Sequence, residues 1–478
     1  MTATDLNGVT SAAATTTANI LPAELQGTTL AVGGTTGNDL VVFNPGAAPG
    51  QWSVTVNGSK LGTFQPAAVS VFDNGGTDTV TVNGTSQADA FTLDAADVVV
   101  NGLTISADSV SSWRLAGQGG NDTFTVNAAD KASLDGGTGT DTLIGPDALN
   151  QWQLTGLDKG TLDSTVFFSN MENLTGGSGT DKFHIVTGGA LAGTIDGGGG
   201  SNDTLDDSGF GTATIDLQSG TATGIGAFAN ISALVGAGSL DTLIGPDAGV
   251  LWKINNSNTG LAGSFWFGNV ANLVGGAGSD TFKFANGKGV TGTLDGGGGS
   301  NVLDYSSYTS GLTVNLATGS ATGVQGGVQN VQVVLGGSGN DTLSAGSTNA
   351  ILLGGAGDDV LTGGSGRALV IGGLGVDQLT AGSGDAILIA GTTSFDLAAL
   401  EAILAEWART DESYSQRISH IHGFTTGGLN GSYYLQASTV QVDSSGSDTL
   451  TGGGGADWFW ANVAVDIFVN KKSWARVN

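Results

Sequence analysis

The sequence predicts an all-β chain: a right-handed parallel β-solenoid with a small helical insertion and a C-terminal cap. Three observations carry this. Glycine supplies 84 of the 478 residues, and Glu occurs only at 24, 172, 401, 406 and 412, so 37 of the 42 acids are Asp. Gly and Asp are turn formers, whereas a charged helical face is normally built with Glu. Glycine clusters recur at regular spacing along most of the chain, and each leads into a short run of alternating apolar and polar residues, the pattern of a half-buried strand.

The balance of charge narrows the function classes. A net charge of -28 with only 14 Lys plus Arg leaves no basic stripe for phosphate, so nucleic acid is excluded as a partner and cations are favoured. Disorder is the rival for so acidic a chain, but 39% hydrophobic residues and nine Trp supply apolar surface that a regular fold must bury. No run of 18 apolar residues occurs, so no membrane insertion is expected. The start, Met1 to Thr10, lacks a basic and apolar leader, so export would use another signal or the chain is part of a longer one. The absence of Cys excludes a disulfide framework.

Taken in order, residues 1–30 are rich in Thr and Ala without periodicity and read as a flexible N-terminal segment. Residues 31–335 read as a parallel β-helix. Asp78-Thr79-Val80-Thr81-Val82 shows its unit, an Asp ahead of a strand, and Val-Asn-Gly at 56–58 and 100–102 marks turns. An internal duplication of about 100 residues sets Asp-Thr-Leu-Ile-Gly-Pro-Asp at both 141–147 and 241–247. Glycine clusters begin near 136, 176, 197, 236, 275, 296 and 336. Their alternating gaps predict coils of roughly 20 residues, the longer gap being two coils with one turn lacking glycines. Each coil buries its inward Val, Ile, Leu and Phe only against its neighbours, so stacking makes the core.

From 336 the period tightens. Gly-Gly-Ser-Gly-Asn-Asp at 336–341, Gly-Gly-Ala-Gly-Asp-Asp at 354–359 and Gly-Gly-Leu-Gly-Val-Asp at 372–377 alternate with Ala-Gly-Ser-Thr-Asn-Ala, Gly-Gly-Ser-Gly-Arg-Ala and Ala-Gly-Ser-Gly-Asp-Ala at 345, 363 and 381. The register is six successive nonapeptides over 336–390, each followed by an apolar strand. Residues 391–442 read as a helical insertion. Ser394 is placed to cap a helix to Arg409 with Leu397, Leu400, Ile403, Leu404 and Trp407 on one face, and a second helix runs from Asp411 to Ile421. Residues 443–478 read as a final turn, with new nonapeptides at 443 and 452, and an aromatic cap from Trp458 to Trp474.

These nonapeptides resemble the RTX, or haemolysin-type, calcium-binding repeats with consensus Gly-Gly-x-Gly-x-Asp-x-apolar-x. The resemblance implies a β-helix passing into a calcium β-roll. Two nonapeptides then make one turn, and Ca2+ lies between successive loops on one side. Backbone carbonyls come from the first and third loop residues, here Gly336 and Ser338, Gly354 and Ala356, Gly372 and Leu374, and carboxylates from the sixth, Asp341, Asp359 and Asp377. The chemistry fits: calcium takes six to eight oxygens, and glycines let carbonyls converge. The chain also looks like the C-terminal regions of large planctomycete-type cell-surface proteins, through Ala398-Ala399-Leu400, Leu429-Asn430-Gly431-Ser432-Tyr433 and Ala456-Asp457-Trp458-Phe459. That likeness implies a secreted or cell-surface location.

The implied metal face is one-sided, because the opposite series carries Ala350, Ala368 and Ala386 at the sixth position. If 390–442 is an excursion, Asp448 extends the acidic column and three inter-loop sites result; an odd half-turn would put Asp457 there instead. Carboxylates about 4.8 Å apart repel by roughly 3 kcal/mol per pair at an effective dielectric near 20, so calcium would order the roll. The isolated turns at Asp122, Asp141, Asp181, Asp241 and Asp280 are open to a purely structural reading, since Gly and Asp turn without metal.

The function expected is an extracellular, calcium-dependent structural or adhesive solenoid, not an enzyme, with cell-surface carbohydrate or self-association as further partners. The alternatives are a carbohydrate-active β-helix lyase or epimerase, or an ice- or mineral-binding surface built on Thr79, Thr123, Thr142, Thr204, Thr242, Thr281, Thr342 and Thr449. No His-Glu-x-x-His is present, and Arg114, Arg367, Arg409, Arg417 and Arg476 form no visible catalytic cluster. His420 and His422 read as helix-end residues.

Overall fold

The computed structural model describes residues 22–478 apart from 73–74, 109, 129–130, 443–445 and 474. Residues 1–21 and Trp474 therefore lie outside the described residues. The chain divides into two units, each a parallel β-solenoid.

The first unit holds the described residues up to Asp181 together with Gly189–Gly200. Thr29–Gly33 pairs in parallel with Ala68–Phe72, which pairs with Leu103–Asp108. A second face runs from Leu40–Pro45 through Thr79–Asn83, Ser112–Ala116, Ala132–Asp135 and Val166–Ser169. A third runs from Ala90–Leu93 through Thr123–Val126, Thr142–Ile144 and Asn173–Gly177 to Leu191–Gly198. Inward residues such as Val80, Val82, Phe91, Phe124, Leu134 and Leu143 are buried, and Phe91 and Phe124 stack at 4.7 Å. The described end of the lead segment is strand rather than flexible chain, because Ala23–Gln26 folds back antiparallel on Thr29–Gly33 and Leu30 enters the core.

The uniform 20-residue coil is corrected by the structure. Residues bonded from one coil to the next are 39, 33, 19 and 31 apart at successive corners. A long gap is one coil enlarged by an antiparallel hairpin, not two coils. Val41–Pro45 pairs with Trp52–Val56 and that with Ser59–Phe64. Phe91–Leu93, Val98–Val100 and Leu103–Ile105 do the same, as do Asn150–Gly156, Lys159–Leu162 and Val166–Ser169. Local chemistry causes it: Asn57-Gly58 and Asn101-Gly102 all have positive φ, the backbone that a two-residue hairpin turn requires.

In the second unit, Lys182–Gly188 with Ser201–Asn478, hairpins persist at Leu251–Asn256 with Thr259–Ala262 and at Thr313–Asn315 with Ser320–Ala321. From Val333 onward the coils are plain. One sheet stacks Val333–Leu335, Ala350–Ala356, Ala368–Leu374, Ala386–Ile389, Trp458–Trp460 and Arg476–Val477. The facing sheet stacks Thr313–Asn315, Thr342–Ser344, Val360–Thr362, Gln378–Thr380, Thr449–Thr451 and Ile467–Val469. Inward Leu343, Leu361, Leu379 and Leu450 and inward Leu352, Val370, Leu388 and Phe459 are all fully buried. Trp458 and Trp460 are therefore strand residues with a further coil beyond them, not a terminal cap.

The excursion between those coils carries two helices. The first, α1, spans Leu397–Trp407 and is capped by Asp396, which accepts from the Ala399 amide at 2.9 Å; Ser394 instead lies beside the short strand pair Thr392–Thr393 with Val440–Gln441. The second, α2, spans Tyr414–Ile421 and starts at a Ser413/Gln416 capping box rather than at Asp411, which pairs with Arg409. Leu400, Ile403 and Trp407 of α1 and Ile418 and Ile421 of α2 pack on Ile351, Leu369, Ile387 and Trp458, so the helices cover one outer face of the roll. Arg417, 3% exposed, fastens them: it donates to the Trp407 carbonyl at 2.7 Å and to Asp385 at 2.9 Å and lies 4.8 Å over the Trp407 ring. Replacing Arg417 with Ala leaves Asp385 only Arg367, at 3.3 Å, as a charged partner. Loss of charge-assisted hydrogen bonds of this kind costs about 2 kcal/mol, expected as a lowered denaturant midpoint.

Candidate metal centre

The acidic corners pose a problem that the alanine side does not, where the Ala350 and Ala368 amides donate to the Arg367 and Asp385 carbonyls one coil on. At an acidic corner the residue that ends a turn and starts a strand has a buried amide with no strand partner, and such a group must be satisfied. In the repeats the acceptor is the carboxylate one coil further on. The Leu312 amide donates to Asp341 Oδ1 at 3.0 Å, Asp341 to Asp359 at 2.7 Å, Asp359 to Asp377 at 2.9 Å, Asp377 to Asp448 at 2.8 Å and Asp448 to Asp466 at 3.0 Å. All five carboxylates are buried.

The second oxygen faces the glycine turn. Asp341 Oδ2 accepts the Gly337 amide at 2.8 Å, whereas Asp359 Oδ2 is buried without a hydrogen-bond partner. A Cβ on Gly336, Gly354 or Gly372 would collide with the carboxylate of its own turn, which is why the first turn position is glycine. The Gly354 carbonyl points at Gly336 and that of Gly372 at Gly354, so turn carbonyls stack between coils. Ser338 bonds through its amide to Tyr308 O at 2.9 Å, Ala356 likewise to Gly337 O at 3.0 Å, and the Leu374 carbonyl accepts the Gly357 amide at 2.8 Å. Gly355 and Gly357 have φ of +109° and +114°, a backbone that side chains disfavour.

Burial pushes the Asp359 carboxyl up to about 7; the Asp341 amide opposes the shift, and the charges of Asp377, Asp341 and Asp358 add to it. Asp341 is also raised by burial, against the amides of Gly337 and Leu312. An all-oxygen donor set, a buried carboxylate oxygen without a donor and glycines that admit nothing larger together fit a hard cation such as calcium. Asp341, Asp359, Asp377 and Asp448, with the turn carbonyls, are the groups that would hold it.

The excursion preserves the column. Gln378 pairs with Thr449, so Asp448 follows Asp377, while Ile387 pairs with Trp458 and Asp457 falls on the alanine side, accepting from the Ala386 amide at 3.3 Å. Asp466 was not anticipated. Its turn, Asn462 to Asp466, has no glycine, yet the Asn462 amide reaches Asp466 Oδ2 at 2.7 Å as a glycine turn would. Its position 18 residues after Asp448, ahead of Ile467-Phe468-Val469, is the signal that could have found it. Asp385, on the alanine side, is held by Arg417, Arg367 and the Ala456 amide, so it is a structural anchor rather than an idle carboxylate.

The corner bond recurs outside the repeats with other side chains. In the first unit Asp39 donates to Asp78, Asp89 to Asp122, Asp122 to Asp141 and Asp141 to Glu172; in the second, Asp280 donates to Asn301 and Asn301 to Gln332. Amides serve there as well as acids. Asp122 Oδ2 and Asp141 Oδ2 share the orphaned state of Asp359 Oδ2, and burial pushes Asp122 up to about 6. A further acidic group, Glu406, Glu412 and His420, is gathered within 4.8 Å. Its charge is already met: Arg409 lies 2.6 Å from Glu412 and 3.6 Å from Glu406, and Glu406 also takes His420 Nδ1 and the Leu429 amide, each at 2.7 Å. It ties α1 to α2.

A column of turn acids stacked on coils of 18 residues is the arrangement of a β-roll. The family model of the RTX calcium-binding nonapeptide repeat matches residues 335–370, 353–388 and 442–469, in four copies, and these segments are such repeats. No curated protein matches the chain.

The raised carboxyls fix a pH dependence. Asp359 holds its proton in the folded state up to about 7 but releases it near the ordinary carboxyl range when unfolded. In chelator, the contribution of this carboxyl to stability should therefore be fully present at low pH and be lost as pH rises from about 4 to about 7. Thermal unfolding across that range, with and without calcium, measures it; calcium at pH 7.5 should restore what was lost.

Proposed function

We propose that the protein is an extracellular structural or adhesive solenoid whose roll is completed by calcium, and that it is not an enzyme. The observation that carries this reading is the unbroken run of five buried acids, Asp341, Asp359, Asp377, Asp448 and Asp466, stacked coil on coil and joined by amide-to-carboxylate bonds. Bound calcium would offset the mutual repulsion of these stacked carboxylates. The chain's own part is to align the carboxylates through their amide bonds, to keep the first turn position as glycine and to bury the strands that follow. Outside the cell calcium is abundant, so the roll would order after export, and the acidic surface would suit a spacer or an adhesive face for carbohydrate or for other copies. No helix among the described residues is long and apolar enough to cross a membrane.

Two observations favour this over the alternatives. A hollow of about 640 Å3 in the first unit, lined by Pro45–Trp52, Pro66, Ala67, Thr85 and Val100–Leu103, contains no titratable side chain to act as acid or base. A flat threonine file is interrupted, because Thr342 stacks on Val360 and Val360 on Gln378 before Thr449 is reached.

Circular dichroism with calcium and then chelator tests the reading. Asp359→Ala should remove the two sites it shares with Asp341 and Asp377 and raise the calcium needed for folding at least tenfold. Asp358→Asn, one residue earlier and exposed, should leave it nearly unchanged. Equal effects, or full folding in chelator, would sink the calcium reading. The purified protein should not cleave pectin, alginate or peptides; turnover lost on changing one groove residue would overturn the structural assignment.

A further inference from the structure

Asp207 differs from every carboxylate described above. It lies 2% exposed in the strand Thr204–Gly209, and neither Oδ1 nor Oδ2 has a hydrogen-bond partner. Its neighbour Asp206 is fully served, with Lys182 Nζ at 2.6 Å and His184 Nδ1 at 3.2 Å. A carboxylate buried without donor or cation is strongly disfavoured, so Asp207 stays charged only with a cation beside it.

The internal duplication shows that the fold does not require an acid here. Asp304-Tyr305 occupies the place of Asp206-Asp207: Lys283 bonds Asp304 at 2.7 Å as Lys182 bonds Asp206, and Val302–Asp304 pairs with Val333–Leu335 as Thr204–Asp206 pairs with Ala233–Val235. Tyr305 fills the interior. Its ring stacks on Phe284 at 4.8 Å and its hydroxyl donates to the Thr322 carbonyl at 2.7 Å. A buried carboxylate in the first copy replaces a satisfied aromatic in the second.

The next coil brings a second acid. Asp241, 0% exposed, ends the glycine turn at 236–241 and accepts the amides of Ala213 and Gly238, each at 2.9 Å. Burial pushes Asp207 up to about 7, the Asp241 and Asp206 charges add to the rise, and only its own amide opposes it. By strand register Gly236 lies opposite Asp207, and a Cβ there would meet both Asp241 Oδ2 and the Asn269 carbonyl oxygen at 2.8 Å, so a carboxylate and a carbonyl converge at this point.

We propose that Asp207, together with Asp241, anchors a divalent-cation site of oxygen donors in the second unit, outside the nonapeptide repeats, and that calcium is the ion it takes. Two carboxylates brought together from successive coils, in a setting of carbonyls and glycines and without thiol, select a hard cation over a soft one. The site stands apart from the repeat column and is tested apart from it.

Calcium bound per full-length chain, counted by native mass spectrometry on wild type, Asp207→Asn and Asp359→Ala, decides the matter. Asp207→Asn should bind one calcium fewer while the calcium-induced circular dichroism change of the repeats persists. Asp359→Ala should lose repeat sites and keep this one. An unchanged count in Asp207→Asn overturns the proposal, and the same count with a higher melting temperature in chelator would identify Asp207 as a buried neutral acid. If Asp207→Asn does not fold, wild-type crystals soaked in a lanthanide still decide: an anomalous peak beside Asp207 supports the site, and a loaded repeat column with no peak there overturns it.

Discussion

The hydrogen bond from a corner amide to the acidic side chain one coil further on sets the terms for the rest of the structure. Strand ladders satisfy the flat faces of a solenoid, but at a corner the chain changes direction and one amide per coil is left buried. A side chain from the following coil supplies the acceptor and, by doing so, sets the stacking register of the two coils. The Asp341, Asp359 and Asp377 bonds are spaced 18 residues apart because the corner, not the strand length, is the repeating constraint.

That constraint leaves freedom elsewhere. Provided the chain returns to the corner in register, what it does in between is open, and the molecule uses this in two ways. Hairpins at Asn57-Gly58 and Asn101-Gly102 lengthen coils to 39 and 33 residues, and the helical excursion puts 71 residues between Asp377 and Asp448 while the bond between them stays at 2.8 Å. The excursion is held by Arg417 and Asp385 on the side opposite the acidic column. The alanines there leave the sheet apolar, which is what α1 and α2 need to pack against.

Period and residue type made the architecture legible in the sequence. Nonapeptides with a sixth-position Asp and an alternating strand leave little choice of fold, and the parity of the excursion could be framed as a choice between Asp448 and Asp457. The hairpins are not legible because glycine spacing marks the corners and not the chain between them, and Asn-Gly marks a turn without saying which two strands it joins. Asp466 escaped because its turn has no glycine. Asp207 could not be read at all, since an Asp-Asp pair in a strand looks solvent-facing until the next coil is stacked upon it. The same holds for Asp385, whose partner Arg417 lies 32 residues away across a helical lobe.

The side chains that fill the corner position also bear on why calcium is needed. Asn301 and Gln332 perform the capping task with a neutral amide, the Asp280 and Asn301 amides reaching them at 2.8 Å in each case. A corner that needed only an acceptor could use Asn throughout and avoid the desolvation and mutual repulsion that burial of successive carboxylates entails. In the repeats the chain instead sets five acids in sequence and bonds each to an amide that favours its charged form, although burial works against that charge. Such an arrangement is unfavourable as a cap and favourable as a ligand, because the amide bonds that align the carboxylates of Asp341 and Asp359 leave their other oxygens facing the glycine turn. The excess of charge over what capping requires is what a cation would balance.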